Sequence, residues 1–258
     1  SQAISGLLCL LFIAAKVPIL HISRDEWRMQ SGRMKELCAY GVPMGLQYSI
    51  TAIGSVILQV AVNSLGSLSV AAVTAGGKVL NFLACPFDAL GSTMATYGAQ
   101  NVGASKYERL NKGLYSASLM GCGYSLLAFA IAWFFGRSLI GLFVSGDSSA
   151  QLIELARTHM LINVLAYPLL TLVNVVRFMI QGMGFSMFAI LAGVMEMIAR
   201  SLAGMFLVPA LGFVGAAMGS PLAWVAADIF LVPAYFRCRR VLMSQAHHLH
   251  VTTRESGV

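Results

Sequence analysis

The sequence predicts an all-α, polytopic membrane protein with seven transmembrane helices. Of its 258 residues 58% are hydrophobic and only 10% charged, against about 25% charged in a typical soluble domain. The mean hydropathy is +0.77. The apolar residues also fall into seven continuous runs, at about 3–20, 42–63, 69–95, 114–144, 159–182, 186–210 and 213–236. Each has the roughly 20 residues a helix needs to cross about 30 Å of hydrocarbon. Spanning β-strands would alternate apolar and polar residues over about ten positions, and these runs do not alternate.

The first run is not read as a signal peptide. It has no basic stretch ahead of the apolar core and no small-residue cleavage site behind it, and Lys16 follows the core. The chain begins at Ser1, two residues ahead of that run, and is expected to be a piece of a longer protein entered within the membrane. Residues 23–40 (SRDEWRMQSGRMKELCAY) set Trp27, Met29, Met34 and Leu37 among charges at helical spacing. That pattern suits an amphipathic segment at the interface before Pro43 opens the second span. Residues 104–113 and 148–158 repeat the pattern ahead of the fourth and fifth spans, and a solvated helix extension accounts for all three equally well. Pro86, Pro168, Pro221 and Pro233 fall inside spans, where a missing N–H kinks a helix. Gly41/Gly45 and Gly215/Gly219 have the GxxxG spacing that lets helices approach closely.

The formal charge of +7 reads as topology, not nucleic-acid binding. Lys16, Arg24, Arg28, Arg33 and Lys35 cluster after the first span; Lys106, Arg109 and Lys112 lie between the third and fourth; Arg237, Arg239, Arg240 and Arg254 follow the seventh. Only Arg137 and Arg157 fall on the opposite side. Positive residues stay cytoplasmic, so the C-terminus is expected inside and the plasma (inner) membrane is the expected location.

Cys9, Cys38, Cys85, Cys122 and Cys238 are scattered singly without metal-ligand spacing and read as buried apolar thiols. His247, His248 and His250 in the basic tail lack Cys or carboxylate partners, so no metal site is expected. His21 and His159 lie near predicted span ends and read as satisfied interfacial histidines. No nucleophile triad, HExxH or phosphate loop is present, so the chain is expected not to be an enzyme.

Six ionisable residues interrupt the apolar runs: Lys78, Asp88, Arg177, Glu196, Arg200 and Asp228, three positive and three negative. A charge at the bilayer centre costs roughly 2.5–3.5 kcal/mol on insertion scales. Glu196 and Arg200 are one turn apart and can pair on one face. Asn174, Arg177 and Gln181 form a stripe at i, i+3 and i+7, where Arg177 either pairs or snorkels to the headgroups. Lys78 and Asp88 are ten residues apart, about 15 Å of rise, so they cannot neutralise each other; each needs a partner helix or water. Asn81 adds to that face. Asp88, beside Pro86, is the first candidate for a protonatable or cation-facing group, and Asp228 the second. An interhelical salt bridge with Lys78, Arg177 or Arg200 is the competing account for both. Asp88, Glu196 and Asp228 are the carboxylates expected to attract cations, with Lys78, Arg177 and Arg200 as balancing or gating charges, and Thr51, Gln59 and Asn174 are weaker candidates for polar cavity lining.

Three strings carry a family resemblance. Pro86-Phe-Asp-Ala-Leu-Gly-Ser-Thr-Met-Ala-Thr-Tyr-Gly-Ala-Gln-Asn-Val-Gly-Ala-Ser-Lys-Tyr-Glu-Arg, Gly41-Val-Pro-Met-Gly-Leu-Gln and the Gln181-Gly-Met-Gly turn resemble the multidrug and toxin extrusion (MATE) transporters. The resemblance implies two six-helix lobes around a central cavity, with organic cations and other amphipathic compounds exported in exchange for entering Na⁺ or H⁺, and no other cofactor. It implies that 1–22 is the last helix of the N-terminal lobe, 23–40 the cytoplasmic inter-lobe connection, 41–236 the six-helix C-terminal lobe and 237–258 a basic cytoplasmic tail. The expected partners are an amphipathic or cationic small molecule, the lipid bilayer and the N-terminal lobe of the same protein, with no nucleic acid. Where some members place a cation-coordinating glutamate, eight residues after the Gly-x-Pro proline, this chain has Thr51. Where many relatives have Arg-Gly-x-Gly, it has Gln181. The expected function is a cation-coupled antiporter working by alternating access, with half of its cavity absent from these 258 residues. A lipid-linked oligosaccharide flippase of the same superfamily and a seven-helix receptor are the alternatives.

Overall fold

The computed structural model describes residues 2–17, 30–144 and 150–255, and every regular element among them is helical. In chain order these are α1 (Gln2–Lys16), α2 (Ser31–Asn63), α3 (Ser67–Gly103), α4 (Glu108–Gly141), α5 (Ala150–Leu165), α6 (Tyr167–Gly182) and α7 (Ser186–Leu202). A π-helical turn at Ala203–Leu207, the short α8 (Val208–Leu211) and α9 (Phe213–Glu255) follow. His21, Arg24, Trp27, Arg28 and Met29 lie outside the described residues, as do the side chains of His247, His248, His250 and Arg254.

The chain divides into two compact units, Ser1–Val42 and Pro43–Val258. In the first, α1 has 15 residues, about 22 Å of rise, which is short of a full crossing. α2, which runs across the boundary, and in the second unit α3, α4, Ser186–Leu211 and Phe213–Ser244 are each long and apolar enough to span, and α5 with α6, bent by 50° at their break, is a broken span or a re-entrant loop. The described residues therefore hold five candidate spans, or six if α5 and α6 count as one, and the first of the seven predicted runs is represented only by the shorter α1.

Proline places two departures from the expected boundaries. Pro43 does not open its helix but lies within α2, which runs unbroken from Ser31. Pro168 sits in the first turn of α6, where its missing N–H is one of the helix-start orphans in any case; it marks the break after Leu165 instead of kinking a continuous span. The π-helical turn comes just before Pro209, another place where the regular hydrogen-bond ladder cannot continue.

The centre of the second unit is α6, whose residues from Val173 to Arg177 are all buried. It packs against α3, α4, α7 and α9, while α3 also packs on α4 and α5. Two apolar clusters fill this bundle, one around Val175, Met179, Leu231 and Tyr235 and one around Phe87, Ala128, Met160 and Tyr167. Close approach is set by glycine: a side chain at Gly182 would collide with the Ala95 backbone on α3. Gly215 and Gly219 are likewise held against Leu207 and Leu58, whereas side chains at Gly41 and Gly45 would meet nothing within 4 Å. The first GxxxG spacing thus makes no packing contact among the described residues.

The strings that carry the resemblance lie within α2, along the C-terminal half of α3 and in the turn after α6, and they meet one another. Gln47, closing the first string, accepts a hydrogen bond from Gln181 Nε2 at 2.5 Å, and Gly98 of the longest string lies against Met179 and Gly182. Gly184 holds a positive φ of 92° in the turn after α6, a conformation for which glycine has no Cβ penalty. The thiols depart from expectation: Cys9, Cys38 and Cys85 are exposed and only Cys238 is buried, because the apolar runs present much of their surface outward.

Candidate functional site

The six charges within the apolar runs separate into two groups. Arg177, Glu196, Arg200 and Asp228 are all buried, drawn together from α6, α7 and α9. Glu196 is the hub. One of its oxygens receives the Arg177 guanidinium, and the other pairs with Arg200 Nη2 at 3.2 Å, one turn along the same helix. Arg177 is therefore paired inside the second unit and does not snorkel. Arg200 also reaches across to the Thr51 carbonyl at 3.5 Å, which ties α7 to α2. With Asp228 included, the cluster holds two positive and two negative groups and is formally neutral.

Asp228 is the exception inside that cluster. The charges of Arg177 and Glu196 both act on it, yet neither of its carboxylate oxygens has a hydrogen-bond partner among the described residues. The same holds for Thr51 Oγ1 and Gln181 Oε1. Asn174 is buried one turn before Arg177, in the body of α6 and away from any exposed surface.

Lys78 and Asp88 belong elsewhere: both are exposed, not buried. They share one side of α3 with Thr74, Asn81, Cys85, Ser92 and Thr96, all exposed at spacings of three and four. At 100° per residue this stripe lies opposite the buried side formed by Ala72, Val79, Leu83, Phe87 and Met94. From Thr74 to Thr96 it extends about 33 Å, the full thickness of the hydrocarbon core. The hydroxyls of Thr74, Ser92 and Thr96 and the Cys85 thiol bond back to carbonyls four residues earlier, a pattern lipid can tolerate. Lys78 and Asp88 cannot be satisfied that way. Lys78 Nζ lies 5.8 Å from the Phe143 ring centre, and no described residue forms an ion pair with either. Facing lipid, the two together would cost roughly 5–7 kcal/mol. Compare α4, where Leu119, Met120, Leu126, Leu127 and Phe134 are among the exposed positions. On α2, Gln59 is also exposed and donates to Asn63 Oδ1 at 3.0 Å.

Sequence reasoning missed a third feature. A cavity of about 220 Å³ sits beside the break between α5 and α6, lined by Asn81, His159, Asn163, Tyr167, Ser220 and Trp224 among others. His159 is not at a span end, because α5 begins at Ala150; nor is it satisfied, because its buried Nδ1 has no partner among the described residues. The polar residues at 81, 159, 163 and 220 come from three helices, so no spacing in the sequence joins them.

The MatE family model matches residues 43–216. A search of curated proteins returned no match. Among solved structures, a MOP superfamily transporter from Pyrococcus furiosus aligns with a TM-score of 0.66 at 21% identity, covering 76% of this chain and 43% of that one. An outward-facing multidrug resistance MATE family transporter of the MOP superfamily gives the same figures. The inward-facing conformation of such a transporter aligns with a TM-score of 0.62 at 18% identity, covering 72% of this chain and 44% of that one. The chain thus spans a little over two fifths of the length of the transporters it matches. These alignments give the fold, the family model covers well over half of the chain, and the protein is a multi-pass membrane protein that belongs to the MATE family of transporters.

Proposed function

We propose that these residues form one lobe of a secondary antiporter that exports amphipathic or cationic small molecules in exchange for Na⁺ or H⁺, by alternating access with the N-terminal lobe. The observation that carries this reading is the polar stripe of α3. Where α4 exposes leucine and phenylalanine, α3 presents Lys78, Asn81 and Asp88 within a polar line, from Thr74 to Thr96, as long as the hydrocarbon core is thick. A line of that kind needs water or polar cargo beside it, which a translocation cavity supplies.

Asp88 is the carboxylate that attracts cations in this scheme, because it is exposed on that line. Thr51, the position implied by the family's glutamate, suits a cation poorly: the Arg200 guanidinium reaches its carbonyl and places positive charge there. Glu196, Arg177 and Arg200 hold the lobe together from inside, and Asp228 is the second carboxylate open to a proton or cation. In this reading the protein sits in the plasma membrane, and the basic residues at 23–40, 104–113 and 237–258 favour a cytoplasmic C-terminus.

The test is ethidium efflux from cells making the complete protein, wild type against Asp88→Asn at matched membrane expression. The expected result is export by the wild type and a loss of about fivefold or more in the variant, the equivalent of about 1 kcal/mol. Unchanged efflux in the variant would remove Asp88 from the cargo path. A wild type that exports nothing would refute drug export and turn the search to lipid-linked oligosaccharides.

A further inference from the structure

The cavity beside the α5–α6 break has a chemistry of its own. Its walls carry amides, a hydroxyl, an imidazole and two aromatic rings, and no carboxylate, lysine or arginine. Several of these groups have fixed orientations. Tyr167 donates its hydroxyl to the Leu80 carbonyl at 3.0 Å, so it offers the cavity its ring and not a donor. Asn163 Nδ2 donates to the carbonyls of His159 at 2.9 Å and Ala217 at 3.2 Å, which leaves Oδ1 as the end able to accept. His159 Nδ1 is buried with no partner among the described residues. A buried polar atom left unmatched costs roughly 1–3 kcal/mol, so a hydrogen-bond partner for this nitrogen would stabilise the site.

Size narrows the occupant. Water takes about 30 Å³ of liquid volume per molecule, so 220 Å³ corresponds to roughly seven waters. Pockets that hold drug-sized ligands run to about 300–1,000 Å³, so this smaller cavity suits one or two fused rings and not a whole such molecule. Trp224 and Tyr167, with ring centres 6.3 Å apart, give a flat group an aromatic wall. Asn81 belongs both to this cavity and to the exposed stripe of α3, so the two are continuous.

We propose that this cavity is a subsite for the planar, uncharged, hydrogen-bonding end of a cargo molecule, recognised by His159 and Asn163 and flanked by Trp224. A cargo so bound would leave its cationic or amphipathic remainder along α3, towards Asp88. The inference extends the transporter reading, but its test does not depend on transport.

Binding is measured by equilibrium dialysis on the complete protein in lipid nanodiscs, without an ion gradient. The probes are three bicyclic compounds of similar size: 2-quinolinone, which is uncharged and hydrogen-bonding; N-methylquinolinium, which is cationic; and naphthalene, which is apolar. Saturable binding of 2-quinolinone is expected, tenfold or more tighter than that of either other probe. His159→Leu, which keeps volume and removes the nitrogen, and Asn81→Leu, at an exposed position that the fold tolerates, are each expected to weaken it about tenfold. Equal binding of N-methylquinolinium would overturn the proposal in favour of a cation site. Equal binding of naphthalene would reduce the cavity to an apolar crevice, and absent 2-quinolinone binding, or binding indifferent to both substitutions, would also overturn it. Loss of ethidium efflux alongside intact 2-quinolinone binding would count against the antiporter and not against the subsite.

Discussion

Replacing Glu196 by glutamine should destabilise the protein more than any other single charge substitution in the membrane region. The carboxylate lies between two buried guanidiniums, those of Arg177 and Arg200. At the 3.2 Å separation from Arg200 and an effective dielectric near 20, one such pair carries about 5 kcal/mol of Coulomb attraction, much of which offsets the desolvation of both ions. The amide removes that attraction and leaves two cations, each less than a tenth exposed, facing each other in a dry interior. Breaking a buried pair in this way costs about 3–5 kcal/mol, and at roughly 2–4 °C per kcal/mol for a unit of this size the expected fall in melting temperature is at least about 6 °C. The assay is thermal unfolding of the complete protein in nanodiscs, followed by tryptophan fluorescence. The double substitution Glu196→Gln with Arg200→Gln should recover part of the loss, because it removes one of the stranded cations. A Glu196→Gln melting temperature within about 2 °C of wild type, or a double variant less stable than the single by the full cost of the second change, would refute the bridging role.

Asp228→Asn should behave in the opposite way: with no hydrogen-bond partner for either oxygen among the described residues and both Glu196 pairs intact, the melting temperature is expected to stay level or rise by a few degrees in the same assay, and a fall of 6 °C or more would show a partner for the carboxylate. Cys85 lies on the α3 stripe and is exposed, whereas Cys238 is buried. In the complete protein a membrane-impermeant maleimide should therefore modify Cys85 at least tenfold faster than Cys238, and equal rates would place the stripe against lipid or protein instead of water.

Length and hydropathy made the spans legible because each span has to be long and apolar on its own, a local requirement that leaves a local mark. The contact of Glu196 with Arg200 was readable for the same reason, since four residues make one helical turn. What bound Arg177 to the same carboxylate was not readable: it depends on how α6 and α7 lie against each other, nineteen residues apart in sequence. The exposure of Lys78 and Asp88 was hidden for a related cause. Periodicity shows that they share a side of α3 with Asn81, but a side of a helix has no inside or outside until Gly76, Gly91 and Gly98 bring α5 and α6 against the other one. His159 was misplaced because the apolar run begins near it, while the helix starts nine residues earlier at Ala150, beyond the reach of a hydropathy boundary.

The two groups of charges have different physical requirements, and those requirements assign different work to them. Arg177, Glu196 and Arg200 are paired with one another inside the second unit, so the interior that contains them can remain closed. Lys78 and Asp88 lie about 15 Å apart along one helix and cannot cancel each other. Their surface is stable only where something polar lies beside it, and under the proposed alternating access that something has to be exchangeable. A lobe that rocks needs a rigid inside and a wet wall, and the burial of these six residues divides them along that line. It follows that neutralising Glu196 should loosen the lobe before it alters which cargo the protein takes, whereas neutralising Asp88 should alter cargo handling with little change in stability.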